Sequence, residues 1–236
     1  GVKFVMIAGP SSSGKTTFAK RLEIQLRING LKPKTISVDN YFVERKDNPK
    51  DENGENDYEC IESIDTKLLN EHLQKLLNGE EVKLPTFNFI TGEREPGTEE
   101  TYLGENEVLI IEGIHALSSK ILTSIDKKKK FRIYLAPLCV LTIDSHNRVS
   151  TTDIRLLRRI VRDNRTRGYN AENTIGMWRK VRRGEEKHIF PNQDSADVVV
   201  NTSMIYVLGV LKAYAEPLLF SVPSNSPNYK YAIRLI

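Results

Sequence analysis

Five short apolar runs recur along the chain, at Phe4–Ala8, Thr35–Val38, Val108–Ile111, Phe131–Leu135 and Val198–Val200. Each run has the length of a β-strand, and the segments between them are long enough to form helices. Four of the five runs are nearly continuous in Val, Ile, Leu or Phe, which is typical of strands covered on both faces. The pattern predicts a three-layer α/β/α sandwich around a mostly parallel sheet.

Two further elements are predicted between the second and third runs. Leucines recur at helical spacing over Asp65–Leu77, and Asn78-Gly79 then supplies a helix stop. Beyond it, Val82–Phe89 and Thr101–Leu103 flank a stretch rich in Gly and Glu. This arrangement predicts a small β-hairpin insertion over about residues 82–104.

Composition indicates a soluble globular chain, since 39% of the 236 residues are hydrophobic and 28% are charged. We expect a single domain over residues 1–236. The longest uncharged stretch, Val198–Leu211, is too short to span a bilayer, so no membrane segment is expected. Cys60 and Cys139 lack metal-type spacing, which favours a cytoplasmic protein. The chain begins at Gly1 and enters a strand-like run almost at once, so we expect either excision from a longer protein with an upstream domain or a processed end. A homo-oligomer is compatible with the sequence.

A phosphate-binding loop is indicated by residues 9–16, whose sequence GPSSSGKT matches G-x-x-x-x-G-K-[ST]. The motif follows the first predicted strand and opens a helical stretch at Lys15–Ile28. Backbone N–H groups of such a loop point at phosphates, and the lysine adds a full positive charge. The alternative is an ordinary Gly/Ser-rich turn. The expected ATP-binding residues here are Gly9, Ser12, Ser13, Gly14, Lys15, Thr16 and Thr17.

A magnesium site is expected from Thr16 and Glu112. The hydroxyl at the last position of such a loop usually faces Mg²⁺, and an acidic residue at the end of a neighbouring strand completes the site. Glu112 closes the apolar run Val108–Ile111. Alternatively, Glu112 reaches solvent at the strand end.

Asp39 is the candidate catalytic base. It follows the second predicted strand, and in an open parallel sheet the carboxyl ends of the strands face the ligand crevice. A carboxylate there could take the proton of an attacking hydroxyl, as kinases require. Alternatively, Asp39 caps the turn that follows the strand.

A basic segment supplies the remaining candidates, with eleven Lys/Arg against four Asp/Glu between Arg155 and Lys187. Arg155, Arg158, Arg159 and Arg162 fall at i, i+3, i+4 and i+7, so they share one helix face. The segment predicts a lid over about residues 153–187 that closes on a triphosphate, with Gly168 as hinge. A solvated or RNA-facing helix is the alternative. The local character of this charge makes nucleic-acid binding unexpected.

Six stretches together resemble the uridine kinase and phosphoribulokinase family, most closely its uridine kinase branch. They are GPSSSGKTT, SVDNYF, LPTFNF, VLIIEGIHAL, RLLRRIVRDNRTRG and ADVVVNTS. The resemblance implies a P-loop kinase fold, ATP as donor and Mg²⁺ as cofactor. It also implies that Asp39 is the base, that Thr16 and Glu112 hold the metal, and that Arg159, Arg162 and Arg167 bind phosphate. The catalytic set is then Lys15, Asp39 and Arg159.

The same resemblance implies a small-molecule substrate held by Asp39, Tyr41, Glu59, Phe87, Asn88, Phe89, Arg159, Tyr169 and Met177. The family usually has Tyr-Asp-Phe at the position of Phe87–Phe89, a histidine or similar polar group at Gly92, and arginine and glutamine at Tyr169 and Met177. The resemblance as a whole gives the first hypothesis, phosphorylation of the 5′-OH of uridine or cytidine. Two others stay open: a kinase for another small alcohol or sugar phosphate, and an ATP-binding regulatory or RNA-associated module with decayed kinase activity.

Overall fold

The computed structural model describes residues 1–123 and 125–236, which form two compact units. The sheet unit comprises Gly1–Pro10, Gly14–Leu135 and Gly184–Val200. The helical unit comprises Ser11–Ser13, Ala136–Arg183 and Asn201–Ile236. The single-domain organisation expected from the sequence stays a prediction.

The strands and helices alternate along much of the chain. The strands are β1 Phe4–Ala8, β2 Lys32–Ser37, β3 Val82–Lys83, β4 Thr86–Asn88, β5 Glu93–Glu95, β6 Glu100–Thr101, β7 Glu107–Glu112, β8 Lys130–Ala136 and β9 Val198–Asn201. The helices are α1 Lys15–Ile28, α2 Thr66–Leu77, α3 Thr151–Thr166, α4 Ala171–Gly184, α5 Val207–Phe220 and α6 Tyr229–Leu235.

A five-stranded sheet in the order β2-β7-β1-β8-β9 forms the core of the sheet unit. The β1 strand pairs in parallel with both β7 and β8, and β7 pairs in parallel with β2. Every residue of β1 is buried, as its uninterrupted apolar sequence requires of a central strand. All five predicted strands are present, and the predicted α/β fold with a mostly parallel sheet is confirmed.

Helix α1 covers part of this sheet through one apolar face. Phe18, Leu22 and Leu26, spaced one turn apart, pack on a cluster that includes Val5 and Ile110. The helix has the predicted bounds, and it starts at Lys15 because Gly14 before it takes a left-handed conformation with φ 92°. The end of β1 is thereby linked to the start of α1 by a tight loop.

The insertion consists of two short antiparallel ladders instead of one continuous hairpin. The β4 and β5 strands pair from Thr86 with Glu95 to Asn88 with Glu93, and β3 pairs with β6 outside them. The α2 helix before the insertion begins one residue later than predicted, because Asp65 is its N-cap and accepts a hydrogen bond from the backbone N–H of Leu68.

The helical unit has its own apolar core, to which α3, α4, α5 and α6 all contribute. Leu156 and Ile160 of α3 are fully buried in it, and Trp178 of α4 is 4% exposed. Gly168, the predicted hinge, follows α3 with φ 72°, which favours glycine. None of the helices described is both long and apolar enough for a membrane-spanning segment.

Gly113 generates a prediction about the sheet edge, because a Cβ there would lie 2.6 Å from the Cβ of Val38. Val38 is 1% exposed and precedes Asp39 directly. Gly113→Ala should therefore lower the free energy of unfolding by about 1–3 kcal/mol through overpacking, as measured by urea denaturation. In the control variant Gly104→Ala the nearest atom would be 3.6 Å away, so little change is expected. Equal effects of the two substitutions would contradict the close approach at Gly113.

Candidate active site

Three strand ends of the sheet unit carry the predicted polar residues to one edge of the sheet. Glu112, the last residue of β7, is in register with Ile7 of β1 and with Ser37 of β2. The phosphate-loop motif begins just after β1, and Asp39 lies two residues beyond Ser37. Because the three strands are parallel, their carboxyl ends reach the same edge.

Glu112 lies in a buried polar cluster at this edge. The residue is only 6% exposed, and its Oε1 accepts a hydrogen bond of 3.1 Å from the Thr16 hydroxyl. Burial raises the pKa of Glu112, and the charge of Asp39 raises it further, while Lys15 and the hydroxyls of Thr16 and Ser37 act in the opposite direction. The alternative in which Glu112 simply reaches solvent is wrong.

The phosphate loop has the backbone expected of an anion-binding loop. Gly9, Ser12 and Gly14 have positive φ values of 154°, 60° and 92°. The Lys15 ammonium donates to the carbonyl oxygens of Gly9 at 3.0 Å and Pro10 at 3.1 Å, so the loop curls around it. A chain in this conformation can turn successive N–H groups toward one ligand.

Two hydroxyl groups of the loop fit an oxyanion. Over the described part of the chain, Ser12 Oγ and Ser13 Oγ are buried and have no hydrogen-bond partner. A buried hydroxyl without a partner costs free energy unless a ligand satisfies it. Phosphate oxygens are suitable acceptors for both.

Asp39 and Tyr41 share a short 3-10 turn, Val38–Tyr41, at the end of β2. Asp39 is close enough to Glu112 for its charge to raise the pKa of that carboxyl. Tyr41 is fully buried, and its hydroxyl lies 3.0 Å from His72 Nδ1. Burial also raises the pKa of Tyr41. Its hydroxyl is therefore already engaged within the sheet unit.

The aromatic residues predicted for the substrate pocket form a cluster with Phe42. The Phe87 and Phe89 ring centroids are 5.2 Å apart, and they lie 5.5 Å and 6.2 Å from that of Phe42. The Phe42–Phe89 and Phe87–Phe89 pairs are edge-to-face and the Phe42–Phe87 pair is tilted, which are favourable arrangements for aromatic rings. Phe87 and Phe89 therefore form an aromatic platform whose position is fixed by packing among the three rings.

Asn88, between the two phenylalanines, uses its polar atoms inside the hairpin. Its side-chain oxygen accepts from the N–H groups of Ile90 at 3.0 Å and Thr91 at 3.2 Å. Its amide donates to Glu95 Oε1 at 3.1 Å. Asn88 therefore stabilises the turn, as Asn commonly does.

Gly92 has a structural reason to be glycine. Its φ is 79°, and a Cβ would lie 2.7 Å from Arg45 Nε. The Arg45 backbone N–H also donates to the Gly92 carbonyl oxygen at 3.0 Å. A histidine at this position would have to displace Arg45 and adopt a strained backbone.

His115 is a candidate functional residue that was not predicted from the sequence. It lies three residues beyond Glu112 and is 1% exposed; burial lowers its pKa to about 4, while the charge of Asp39 and backbone hydrogen bonds at Glu59 and Cys60 act in the opposite direction. Within the described residues, its Nε2 has no hydrogen-bond partner. Glu59, a predicted substrate residue, is 8% exposed in the same unit. A histidine just after the acidic strand end was the available sequence signal.

In the helical unit, two arginines of the predicted stripe bind the loop residue Ser11. Arg155 is 2% exposed; its Nη1 donates to the Ser11 carbonyl oxygen at 3.0 Å, and its guanidinium lies 5.3 Å from the Trp178 ring centroid. Arg159 Nη1 donates to Ser11 Oγ at 2.7 Å. Burial of these two residues shows that the helix face is not merely solvated.

The other predicted residues of this unit lie around the end of α3. Arg162 and Arg167 are partly buried, and both approach the carboxylate of Asp163. The backbone N–H of Tyr169 donates to the Asp163 carbonyl oxygen at 3.2 Å. Met177 is partly buried in α4. Asp163 was not singled out from the sequence.

Comparisons with known proteins identify the family of this chain. The model of the phosphoribulokinase/uridine kinase family matches residues 4–205. Uridine kinases of Staphylococcus aureus strains JH9 and Newman are each 31% identical over 195 residues, covering 82% of this chain and 84% of theirs. The solved structure of a possible uridine kinase from Bacillus stearothermophilus has the same fold, with a TM-score of 0.54 and 22% identity over 85% of this chain and 89% of that one. The chain thus belongs to the phosphoribulokinase/uridine kinase family and is an ATP-dependent kinase.

Proposed function

We propose that this kinase transfers the γ-phosphate of ATP to a primary hydroxyl group, namely the 5′-OH of uridine or cytidine. The observation that carries the proposal is the meeting of Lys15, Thr16, Asp39 and Glu112 at one sheet edge. A phosphate-binding group, a metal-binding pair and a candidate base then serve one reaction. The 31% identical relatives named uridine kinase support a nucleoside acceptor.

The donor side of the proposed reaction uses the phosphate loop and the arginines of α3. Lys15 supplies a fixed charge, and the buried hydroxyls of Ser12 and Ser13 supply donors. Guanidinium groups bind phosphate oxygens with two parallel hydrogen bonds, which suits Arg162 and Arg167. The full proposed ATP-binding set is Gly9, Ser12, Ser13, Gly14, Lys15, Thr16, Thr17, Arg162 and Arg167.

Thr16 and Glu112 are the proposed magnesium residues. Mg²⁺ prefers oxygen ligands, and the hydroxyl and carboxylate oxygens of this pair already lie 3.1 Å apart. Burial and the nearby Asp39 raise the pKa of Glu112, so its ionised form would be stabilised by a cation. When bound, Mg²⁺ neutralises charge on the phosphates. The residues present fit the ion.

Asp39 is the proposed base. Its carboxylate would accept the proton of the acceptor hydroxyl while that oxygen forms a bond to the γ-phosphorus and the bond to ADP breaks. Arg159, held by Ser11, is proposed to contact the transferring phosphoryl group. Together with Lys15 these residues form the proposed catalytic set.

The residues proposed to bind the acceptor are Tyr41, Glu59, Phe87, Asn88 and Phe89 of the sheet unit and Tyr169 and Met177 of the helical unit. The aromatic platform of Phe87 and Phe89 suits the face of a flat base. A second candidate acceptor, another small alcohol or a sugar phosphate, is favoured by two observations. The polar atoms of Asn88 serve the hairpin turn, and Gly92 offers no side chain to the base.

We place the reaction in the cytoplasm. Both cysteines, Cys60 and Cys139, are free and buried, which agrees with a reducing compartment.

Asp39→Asn tests the proposed base. We expect kcat to fall by about 100-fold or more with the KM for ATP nearly unchanged, since the carboxylate serves the acceptor and not the donor. Coupled ADP-release assays measure both constants. Asp47→Asn, an exposed change, is the control. A higher KM for ATP with a normal kcat would assign Asp39 to nucleotide binding instead.

The acceptor is tested by ADP release across a panel of nucleosides and small alcohols. Few polar side chains are placed to form hydrogen bonds with the edge of the base. The kcat/KM values for uridine and cytidine should therefore differ by less than about 200-fold. Phe87→Tyr adds a hydroxyl and should lower the KM for uridine, whereas Phe220→Tyr, at a 63% exposed site, should not. If neither nucleoside is phosphorylated but another alcohol is, the second candidate replaces the first.

A further inference from the structure

Asp163 in α3 is a carboxylate shared by three arginines. It is 1% exposed, and its Oδ1 accepts hydrogen bonds from Arg162 Nε at 2.9 Å and Arg162 Nη2 at 2.7 Å. Arg159 Nε lies 3.2 Å from Oδ2, and Arg167 Nε lies 3.9 Å from Oδ1. All four residues belong to the helical unit, so one negative charge faces three positive charges.

Arg162 lies beside two further cations in this cluster. Burial lowers the pKa of Arg162 to about 10, the charges of Arg167 and Arg159 lower it as well, and Asp163 acts in the opposite direction. An anion that approaches the N–H groups of Arg162 would therefore be attracted by its positive charge.

The contacts with Asp163 also fix the orientation of the guanidinium planes. Arg162 uses Nε and Nη2 for the carboxylate, which leaves the two N–H groups of Nη1 and one of Nη2 for other acceptors. Arg159 Nη1 donates a hydrogen bond to Ser11 Oγ, and its Nε lies 3.2 Å from Asp163 Oδ2 as an ion pair without hydrogen-bond geometry. Arginine side chains have many rotatable bonds, so without such contacts they would lose conformational entropy when they bind phosphate.

We propose that Asp163 is a positioning residue for ATP, which holds Arg162 and Arg159 so that their remaining N–H groups face the phosphates. The proposal rests on the phosphate-binding role given to Arg159, Arg162 and Arg167. It differs from a competing arrangement in which Asp163 occupies the arginines and opposes phosphate binding. The two arrangements predict opposite signs for the loss of the carboxylate charge.

The test is isothermal titration calorimetry of ATP with Mg²⁺, in the absence of any acceptor. Asp163→Asn keeps the shape of the side chain and removes its charge. We expect the Kd for ATP to rise about tenfold or more, as expected for the loss of a charge-assisted hydrogen bond. The control, Asp153→Asn, lies on the same helix and removes the charge that accepts two 2.8 Å hydrogen bonds from Arg234, so it should leave the Kd unchanged.

A mutant cycle separates positioning from general stabilisation. In an Arg162→Ala background, Asp163→Asn should add much less to the Kd than it does alone, because Asp163 acts through Arg162. Additive effects, an unchanged Kd in the folded Asp163→Asn variant, or a tighter Kd would each overturn the proposal. Circular dichroism at the titration temperature establishes that each variant is folded.

If Asp163→Asn does not fold, Arg162→Lys serves as the second variant. Lysine keeps the positive charge but cannot make two fixed bonds to one carboxylate. A Kd for ATP equal to that of the native protein would then overturn the proposal, and a rise of about tenfold would support it. Because the readout is ATP binding alone, failure to phosphorylate uridine or cytidine would count against the proposed acceptor and not against Asp163.

Discussion

The arrangement of polar residues at the sheet edge depends on the burial of the Glu112 carboxyl group. Ionised carboxylates are costly to bury, and Asp39 makes this one costlier. Lys15 and Thr16 at the start of α1 and Ser37 at the end of β2 act in the opposite direction. They can do so only because β1, β2 and β7 are parallel and in a register that brings Ile7 and Ser37 beside Glu112. Strand direction and register therefore determine which side chains surround Glu112.

The helical unit follows the same electrostatic principle with the opposite charge. There one carboxylate, Asp163, lies close to three arginines, and Arg155 and Arg159 donate hydrogen bonds to Ser11. In both units, charged side chains are buried beside groups of opposite charge. Buried groups with shifted pKa values are common in sites that bind charged ligands.

The sequence was sufficient to predict those elements whose structure is determined by neighbouring residues in the chain. The β1 strand and α1 were predicted with their bounds because an apolar run, a glycine-rich loop and a helical segment follow one another directly. The positions of Asp39 and Glu112 could be predicted because strand ends are set by the same runs. Side-chain partners brought together by the fold could not be predicted from these patterns. Tyr41 with His72, Gly92 against Arg45 and the buried His115 are such cases.

Asn88 illustrates why substrate contacts were harder to predict than the phosphate loop. The family resemblance predicts that Asn88 binds the acceptor, and the structure adds that its side chain forms hydrogen bonds within the hairpin turn. The loop motif has no such ambiguity, because its glycines and lysine have requirements that the backbone alone imposes.

The most direct measurement is thermal unfolding of Glu112→Gln with and without Mg²⁺ and ATP, with the exposed Glu105→Gln as control. An amide has no charge to bury, so without ligand the Glu112→Gln protein should unfold at or above the native temperature. Its stabilisation by Mg²⁺ and ATP should be much smaller than that of the native protein, because a metal-binding carboxylate is lost. A large loss of stability without ligand, together with full stabilisation by Mg²⁺ and ATP, would contradict the role given to Glu112.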